Sequence, residues 1–187
     1  MREIELKAAL DSISPMTLAQ RLTEMGFVQG AVVKDEDVYF QGKGEGTGLH
    51  NQVLRLRTSR DLLAGYTRCY LTYKGPREES VRQSREEIQT GIEDADAAAQ
   101  LLERLGYSPL LTVKKPRRHY HIDAVTACLD AVEGVGPFLE LEILAPQEEQ
   151  QEAFKRLMSL LKEIGLEEKH LTHQSYLELL LGKGGQE

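Results

Sequence analysis

The sequence alternates charged and apolar side chains at every second position in several separate segments. In the first of these, Glu3, Glu5 and Lys7 alternate with Ile4 and Leu6. Successive side chains of a β-strand point to opposite faces, so this pattern predicts strands with one charged face and one apolar face. The same pattern recurs where Arg55 and Arg57 alternate with Leu54 and Leu56, and where Glu140 and Glu142 alternate with Leu139, Leu141 and Ile143.

Period-two alternation predicts eight strands in total, and helical periodicity predicts four helices. The helices at 15–26, 94–106 and 146–165 each end in glycine, and Pro15 and Pro146 suit a first helical turn. Asp94 or Asp96 could cap the second helix, and a fourth, short helix is predicted at 174–181. The predicted strands are 3–10, 32–40, 53–58, 69–74, 84–90, 112–121, 126–132 and 138–144. Because no long linker interrupts these elements, we expect a single domain over residues 1–187.

The fold class follows from what the charged faces of these strands could pack against. For any one strand, an ordinary sheet with one solvated face explains the alternation. Across several strands, however, the charges are sorted by sign into tight groups of acids and bases. If the strands close into a barrel whose apolar faces lie beneath the helices, all of these charges face the lumen. Such a closed barrel with helices packed on its outside would be an α+β fold.

An internal repeat indicates that this barrel consists of two related, pseudo-symmetric halves. Each half would contain a strand, a helix and further strands. The matching segments lie 80 residues apart: Met25-Gly26-Phe27, Val33-Lys34 and Tyr39-Phe40 correspond to Leu105-Gly106-Tyr107, Val113-Lys114 and His119-Tyr120.

Composition limits the classes of partner that the protein could bind. The chain carries 23 Lys and Arg against 30 Asp and Glu, so its surface as a whole should repel nucleic acid and anionic membranes. The basic run 114–118 could still form a polyanion-binding patch, but only Tyr120 provides aromatic interleaving. No apolar run approaches the ~20 residues of a membrane span and the first residues are charged, so we expect a cytoplasmic protein. Cys69 and Cys128 lack zinc-site spacing and are predicted to be packing residues.

A lumen filled with charge is costly to desolvate unless its charges are paired, hydrated or matched by a ligand. The basic side chains suit phosphate oxygens, and the acidic side chains are hard oxygen ligands suited to Mg²⁺ or Mn²⁺. Together they predict a site for a metal-bound polyphosphate. His119 and His121 also alternate, and a position at the lumen edge or surface is favoured over metal binding. The basic side chains meant here are Arg55, Arg57, Lys74, Lys115 and Arg117, and the acidic ones are Glu3, Glu5, Glu140 and Glu142.

The sequence resembles the CYTH domain group, also called triphosphate tunnel metalloenzymes. Glu3-Ile4-Glu5-Leu6-Lys7 is similar to the ExExK signature on the first strand of that family. Later blocks resemble the family in the expected order and cover nearly the whole chain. These blocks are Asp37 to Phe40, Leu54 to Arg57, Leu71 to Pro76, Ser84 to Glu87, Lys115 to Arg117 and Leu129 to Glu142. The resemblance implies an eight-stranded antiparallel closed β-barrel, a tunnel flanked by helices, that binds triphosphate with divalent metal.

The resemblance also assigns roles to individual residues. It implies metal ligation by Glu3, Glu5, Asp130, Glu140 and Glu142, and triphosphate contacts from Lys7, Arg55, Arg57, Lys74, Arg85, Lys115 and Arg117. Glu87 would join either the metals or a salt-bridge network with these bases. The sequence departs from the family at Gln89, where a second acid often follows Glu87, and this puts a metal role for that strand in doubt.

Within the family, the segment from Leu129 to Glu142 and the tail from Ser175 to Leu180 are most similar to class IV adenylate cyclases. This implies a homodimer and the conversion of ATP to cyclic AMP and pyrophosphate, with Lys74 and Arg117 as catalytic residues that stabilise the leaving group. The same residues would also serve a triphosphatase acting on thiamine triphosphate, a nucleoside triphosphate or inorganic tripolyphosphate. A non-catalytic polyphosphate-binding module is a third alternative, although binding alone would not need metal-ligating acids.

Overall fold

A computed structural model describes residues 2–11, 13–42, 52–76 and 86–184. It contains all eight predicted strands and all four predicted helices. The strands are β1 (Arg2–Ala9), β2 (Val28–Gly42), β3 (Val53–Asp61), β4 (Thr67–Lys74), β5 (Glu87–Ile92), β6 (Tyr107–Ile122), β7 (Val125–Val132) and β8 (Gly136–Ala145). The helices are α1 (Pro15–Glu24), α2 (Ala95–Arg104), α3 (Gln150–Glu163) and α4 (Tyr176–Gly184).

Local capping explains where the first two helices begin. The side chain of Ser14 accepts a hydrogen bond from Thr17 N, and Pro15 follows it in the first turn of α1. Asp94, rather than Asp96, caps α2 by accepting from Ala97 N. The third helix starts later than predicted because a short 3₁₀ turn, Gln147–Glu149, follows Pro146. None of the helices in the described ranges is long and apolar enough to span a membrane.

The strands form one antiparallel sheet in the order β1-β8-β7-β6-β2-β3-β4-β5. The sheet curls into a trough-like half-barrel, so the α+β prediction is confirmed but full closure is corrected. Over the described residues, the edge strands β1 and β5 share no backbone ladder. They approach through side chains, since Glu3 of β1 and Glu87 of β5 line the same cavity.

Exchanging β1 to β4 with β5 to β8 reverses the strand order but keeps every pair of neighbouring strands. The two halves of the sheet are therefore related by a pseudo-two-fold axis. The pseudo-two-fold axis passes between the central strands β2 and β6, where Asp35 pairs with Lys115. Val33 pairs with Arg117, and Asp37 pairs with Val113. These two pairs are equivalent, because Val113 lies 80 residues after Val33 and Arg117 lies 80 residues after Asp37. The internal repeat is therefore a real feature of the fold.

Apolar faces of the strands point outward, beneath the helices, as the alternation predicts. Ile4 and Leu6 of β1 are at most 8% exposed and pack in one cluster with Leu18 of α1 and Leu157 of α3. On the other half, Leu56 of β3 packs with Leu102 of α2. Because helices cover these faces, the charged faces are left to line the interior of the curl.

Candidate functional site

The concave face of the sheet encloses a cavity of about 260 Å³. It has charged walls, and eleven of its described lining residues were predicted from the sequence as site residues. These are Glu3, Glu5, Lys7, Arg55, Arg57, Lys74, Glu87, Lys115, Arg117, Glu140 and Glu142. The other lining residues are Tyr39, Val53, Gln89, His119, Ser175 and Tyr176.

One wall of the cavity is built by β1 and β8, which pair in register. Glu5 stands opposite Glu142, and Lys7 stands opposite Glu140. Lys7 Nζ lies 3.1 Å from Glu5 Oε1 and 3.1 Å from Glu140 Oε1, so the lysine bridges the two acids. Burial opposes its charge, but these two carboxylates raise the pKa of Lys7 above its usual range. This wall therefore presents acids on both strands, held in place by one lysine.

Carboxylates crowd together at the end of this wall. Burial raises the pKa of Glu3 to about 8, although the ammonium of Lys74 opposes the rise. The carboxylates of Glu5, Glu87 and Glu142 add to the increase. Lys74 Nζ lies 2.7 Å from Glu87 Oε2, so this lysine is engaged with β5. The cluster contains more negative charge than its neighbouring cations neutralise.

The opposite wall is basic and is organised around Asp37, which is fully buried. Arg57 binds Asp37 with both fork nitrogens, at 2.6 and 2.8 Å, and Lys115 Nζ lies 2.8 Å from Asp37 Oδ2. Burial would raise the pKa of Asp37, but Lys115 and Arg57 outweigh it and hold the pKa well below the usual value. One carboxylate thus orients two cations towards the cavity.

Arg55 lies beside this group, and one of its guanidinium donors is unpaired. It donates to Thr72 Oγ1 at 3.3 Å, and Thr72 in turn donates to Gln89 Oε1 at 3.0 Å. The Nε atom of Arg55 is buried and has no hydrogen-bond partner among the described residues. The residue lines the cavity, so its guanidinium is placed to attract an anion that enters there.

The floor of the cavity is formed by Arg117 and Tyr176, and Asp130 lies behind them. Arg117 binds Asp130 with two bonds of 2.6 Å and also pairs with Glu140. Tyr176, at the start of α4, donates its hydroxyl to Asp130 Oδ2 at 2.8 Å. Its ring lies beneath Lys7 Nζ, 4.5 Å from the ring centroid, so the helix closes this end of the cavity with a cation–π contact.

The predicted metal ligands do not form a preorganised metal cluster. In the described part of the chain, no group of three or more His, Cys, Asp or Glu side chains is arranged to hold an ion. The donor set nevertheless fits a hard divalent cation, because the carboxylates of Glu3, Glu5 and Glu142 line the same cavity. The elevated pKa of Glu3, which burial causes and the carboxylates of Glu5, Glu87 and Glu142 increase, is consistent with acids that lie close together. Mg²⁺ commonly binds one or two carboxylates together with substrate phosphates, which suits such a partial site.

Of the predicted site residues that the structure describes, Asp130 is not part of the cavity lining. Asp130 lies behind Arg117, is 2% exposed, and has both carboxylate oxygens engaged by Arg117 and Tyr176. Arg85 lies outside the described residues, as does part of the predicted strand 84–90.

Sequence reasoning missed the acids behind the basic wall and the tyrosine of α4. Asp35 and Asp37 lie two residues apart in β2 and share one face, and Asp37 pairs with the lumen residue Arg57 of β3. This alternation could have identified them. Tyr176 sits at a helix start, where strand periodicity gives no signal. His119 lines the cavity. Burial, helped by Arg117, lowers its pKa to about 4.

Comparisons with known proteins match this geometry to one family. The sequence profile described as the CYTH domain matches residues 1–176. A Methanocaldococcus jannaschii protein provisionally named an adenylate cyclase is 30% identical over 180 residues, covering 96% of this chain and 98% of that protein. A solved Pyrococcus horikoshii protein is 35% identical with a TM-score of 0.85, covering 97% and 99% of the two chains. A Hippeastrum protein, an adenylyl cyclase candidate described as having a dominant triphosphatase activity, shares the fold at 21% identity, a TM-score of 0.67 and coverage of 100% and 97%.

Proposed function

Because this chain belongs to the CYTH domain family, we propose that it is a metal-dependent adenylate cyclase that converts ATP to cyclic AMP and pyrophosphate. The observation that carries the proposal is that acids and bases line one cavity on separate walls. The acids lie on β1 and β8, and the bases Arg55, Arg57 and Lys115 lie on β3 and β6. A triphosphate with a bound cation matches both sets of charges.

The basic wall would bind the triphosphate oxygens. Arg55, Arg57 and Lys115 are already oriented by Asp37 and Thr72, so little side-chain entropy is lost when phosphate replaces water. Their charges also restrict the substrate to an anion. Lys7 would contact the same oxygens from the acidic wall.

The acidic wall would hold the cation, and Glu3, Glu5 and Glu142 are the acids best placed for it. Glu140 is less available because Arg117 and Lys7 both pair with it. Asp130 is assigned to orienting Arg117, because both of its oxygens are occupied. Bound Mg²⁺ or Mn²⁺ supplies Lewis acidity at the phosphate oxygens and to the attacking hydroxyl.

In the cyclase reaction, the ribose 3′-oxygen forms a bond to the α-phosphorus and the bond from that phosphorus to the bridging oxygen breaks. Pyrophosphate leaves with the bonding electron pair, and the hydroxyl proton is lost to solvent. Lys74 and Arg117 would stabilise the negative charge that grows on pyrophosphate. Arg117 is suited to this because Asp130 and Glu140 fix its guanidinium in one orientation.

Triphosphatase activity is the second candidate, since the Hippeastrum protein with the same fold is described as having it. In that reaction, water attacks the terminal phosphorus, and the same cavity residues bind the substrate. Only the attacked phosphorus and the nucleophile differ between the two reactions.

Product analysis separates these candidates. The purified protein is incubated with Mn²⁺ or Mg²⁺ and ATP, thiamine triphosphate or inorganic tripolyphosphate, and the products are resolved by ion-exchange chromatography. We expect cyclic AMP and pyrophosphate in equal amounts from ATP. Orthophosphate release without cyclic AMP would replace the cyclase assignment with the triphosphatase assignment.

Matched variants test whether the cavity is the site of turnover. Glu5→Gln should abolish activity with every substrate, because it removes a cavity carboxylate while preserving shape. The control is Glu36→Gln in β2, where Glu36 pairs with Lys114 on the exposed side of the strand. Equal activity in both variants would rule out this cavity as the active site.

A further inference from the structure

One aromatic ring at the floor of the cavity contacts lysines from both of its walls. The ammonium group of Lys7 on β1 lies 4.5 Å from the centroid of the Tyr176 ring, and that of Lys115 on β6 lies 5.5 Å from it. Both distances are within the range of a cation–π interaction, in which the negative face of the ring attracts a cation. Tyr176 thus links the acidic wall to the basic wall.

The carboxylates that hold these two lysines belong to separate walls. Lys7 pairs with carboxylates of β1 and β8, whereas Lys115 pairs with Asp37 of β2. These ion pairs hold each lysine within its own wall. The ring of Tyr176 then sets how the two ammonium groups lie relative to each other.

The hydroxyl of the same tyrosine acts on a third cation of the cavity. It donates to Asp130 Oδ2 at 2.8 Å, and Arg117 binds the same oxygen at 2.6 Å. Asp130 is 2% exposed, so removal of the hydroxyl would leave a buried carboxylate with one donor fewer. The guanidinium of Arg117 would then be held less firmly.

Tyr176 is itself fixed by the two strands of the acidic wall. Just before α4, Thr172 N donates to the backbone oxygen of Lys7 at 2.9 Å. The tyrosine is 4% exposed, and its ring packs edge-on against Phe138 of β8 with the centroids 5.1 Å apart. A side chain held in this way loses little freedom when it orients its neighbours.

We propose that Tyr176 is a positioning residue for the phosphate site. Its ring spaces Lys7 and Lys115, and its hydroxyl holds the carboxylate that orients Arg117. This rests on the proposed function, because it assumes that these three cations bind the triphosphate. An anion held from two walls binds tightly where the cations match the spacing of its oxygens, and a small displacement of a catalytic group lowers turnover steeply. The ring should therefore act mainly on affinity, and the hydroxyl mainly on turnover.

Two substitutions at position 176 separate these effects. Tyr176→Phe keeps the ring and removes the hydroxyl, whereas Tyr176→Leu removes both. The control is Leu180→Ala, because Leu180 packs in the same apolar cluster as Tyr176 but does not line the cavity. Calorimetry with inorganic tripolyphosphate in EDTA measures affinity, ATP turnover with Mn²⁺ measures kcat, and urea unfolding measures the stability of each variant.

Tyr176→Leu should weaken tripolyphosphate binding by roughly tenfold, because both cation–π contacts are lost. Tyr176→Phe should bind within about twofold of wild type, but its kcat should fall roughly tenfold, because Asp130 loses a donor. Leu180→Ala should lower stability while leaving affinity and kcat within about twofold of wild type.

Wild-type affinity in Tyr176→Leu, wild-type kcat in Tyr176→Phe, or an equal loss of affinity in Leu180→Ala would overturn the positioning role alone. If Tyr176→Leu does not fold, the kcat of the nearly isosteric Tyr176→Phe still decides. A wild-type protein that neither binds tripolyphosphate nor turns over ATP would overturn the proposed function instead.

Discussion

Glu5 of β1 stands directly opposite Glu142 of β8, so two carboxylates face each other on the same side of one antiparallel ladder. Like charges in this position destabilise a sheet, and the pKa of Glu142 is raised by burial and by the neighbouring Glu140 and Glu5, although Arg117 opposes the rise. We infer that this pair is kept for cation binding rather than for stability.

Glu142→Gln should therefore separate stability from activity. Without divalent cations, the variant should be more stable than wild type by roughly 0.2–1 kcal/mol, because a like-charge contact is removed. Its metal-dependent turnover should fall at least about 100-fold, because a cavity carboxylate is lost. Urea unfolding in EDTA and a turnover assay with Mn²⁺ measure the two effects. A variant that is less stable and equally active would contradict the metal-site assignment.

Asp37→Asn should be among the most destabilising substitutions in the protein. The change leaves Arg57 and Lys115 buried without the carboxylate that they share, and breaking a buried ion pair in this way costs about 3–5 kcal/mol. Glu36→Gln, one residue earlier and exposed, should change stability by less than about 0.5 kcal/mol. Urea unfolding of both variants provides the comparison, and similar midpoints would show that Asp37 does not organise the basic wall.

His119 should make stability depend on pH between about 4 and 6.5. Burial and Arg117 lower its pKa in the folded protein, so within this window the unfolded chain binds a proton that the folded protein does not. The contribution of His119 to stability is therefore complete above the ordinary histidine pKa and decreases as the pH falls towards 4. The difference in unfolding free energy between wild type and His119→Gln should shrink from pH 7.5 to pH 5. A constant difference over this range would refute the assignment.

Arg55→Gln should weaken binding of inorganic tripolyphosphate by roughly 10- to 100-fold, because it removes a cation that lines the cavity. The control is Arg118→Gln, since Arg118 is exposed on β6 within the basic run 114–118. If Arg118→Gln caused the larger loss, phosphate would bind the outer surface rather than the lumen. Calorimetry on both variants decides between the two locations.

Much of this fold could be predicted because alternation reveals which face of a strand is charged. Glu3, Glu5 and Lys7 line the lumen as expected, and the apolar residues between them pack under α1 and α3. Alternation does not reveal whether two edge strands pair, so the sequence could not show that β1 and β5 lack a shared ladder over the described residues.

The side-chain contacts within the site could not be predicted from the sequence either. Periodicity assigns Asp130 to the charged face but does not show that Arg117 and Tyr176 take both of its oxygens. Asp37 was not predicted as a site residue because its contacts are with side chains on β3 and β6. Such contacts depend on register between strands that are distant in the chain.

The pseudo-two-fold axis between Asp35 and Lys115 relates equivalent backbone positions whose side chains carry opposite charge. Asp35 corresponds to Lys115 and Asp37 to Arg117 under the 80-residue offset of the repeat. Two identical copies of either half would therefore place acid against acid, or base against base, across this axis. The present interior therefore needs two halves that share a backbone fold but differ in charge. A half-length ancestor that assembled as a symmetric pair would have had a chemically different lumen.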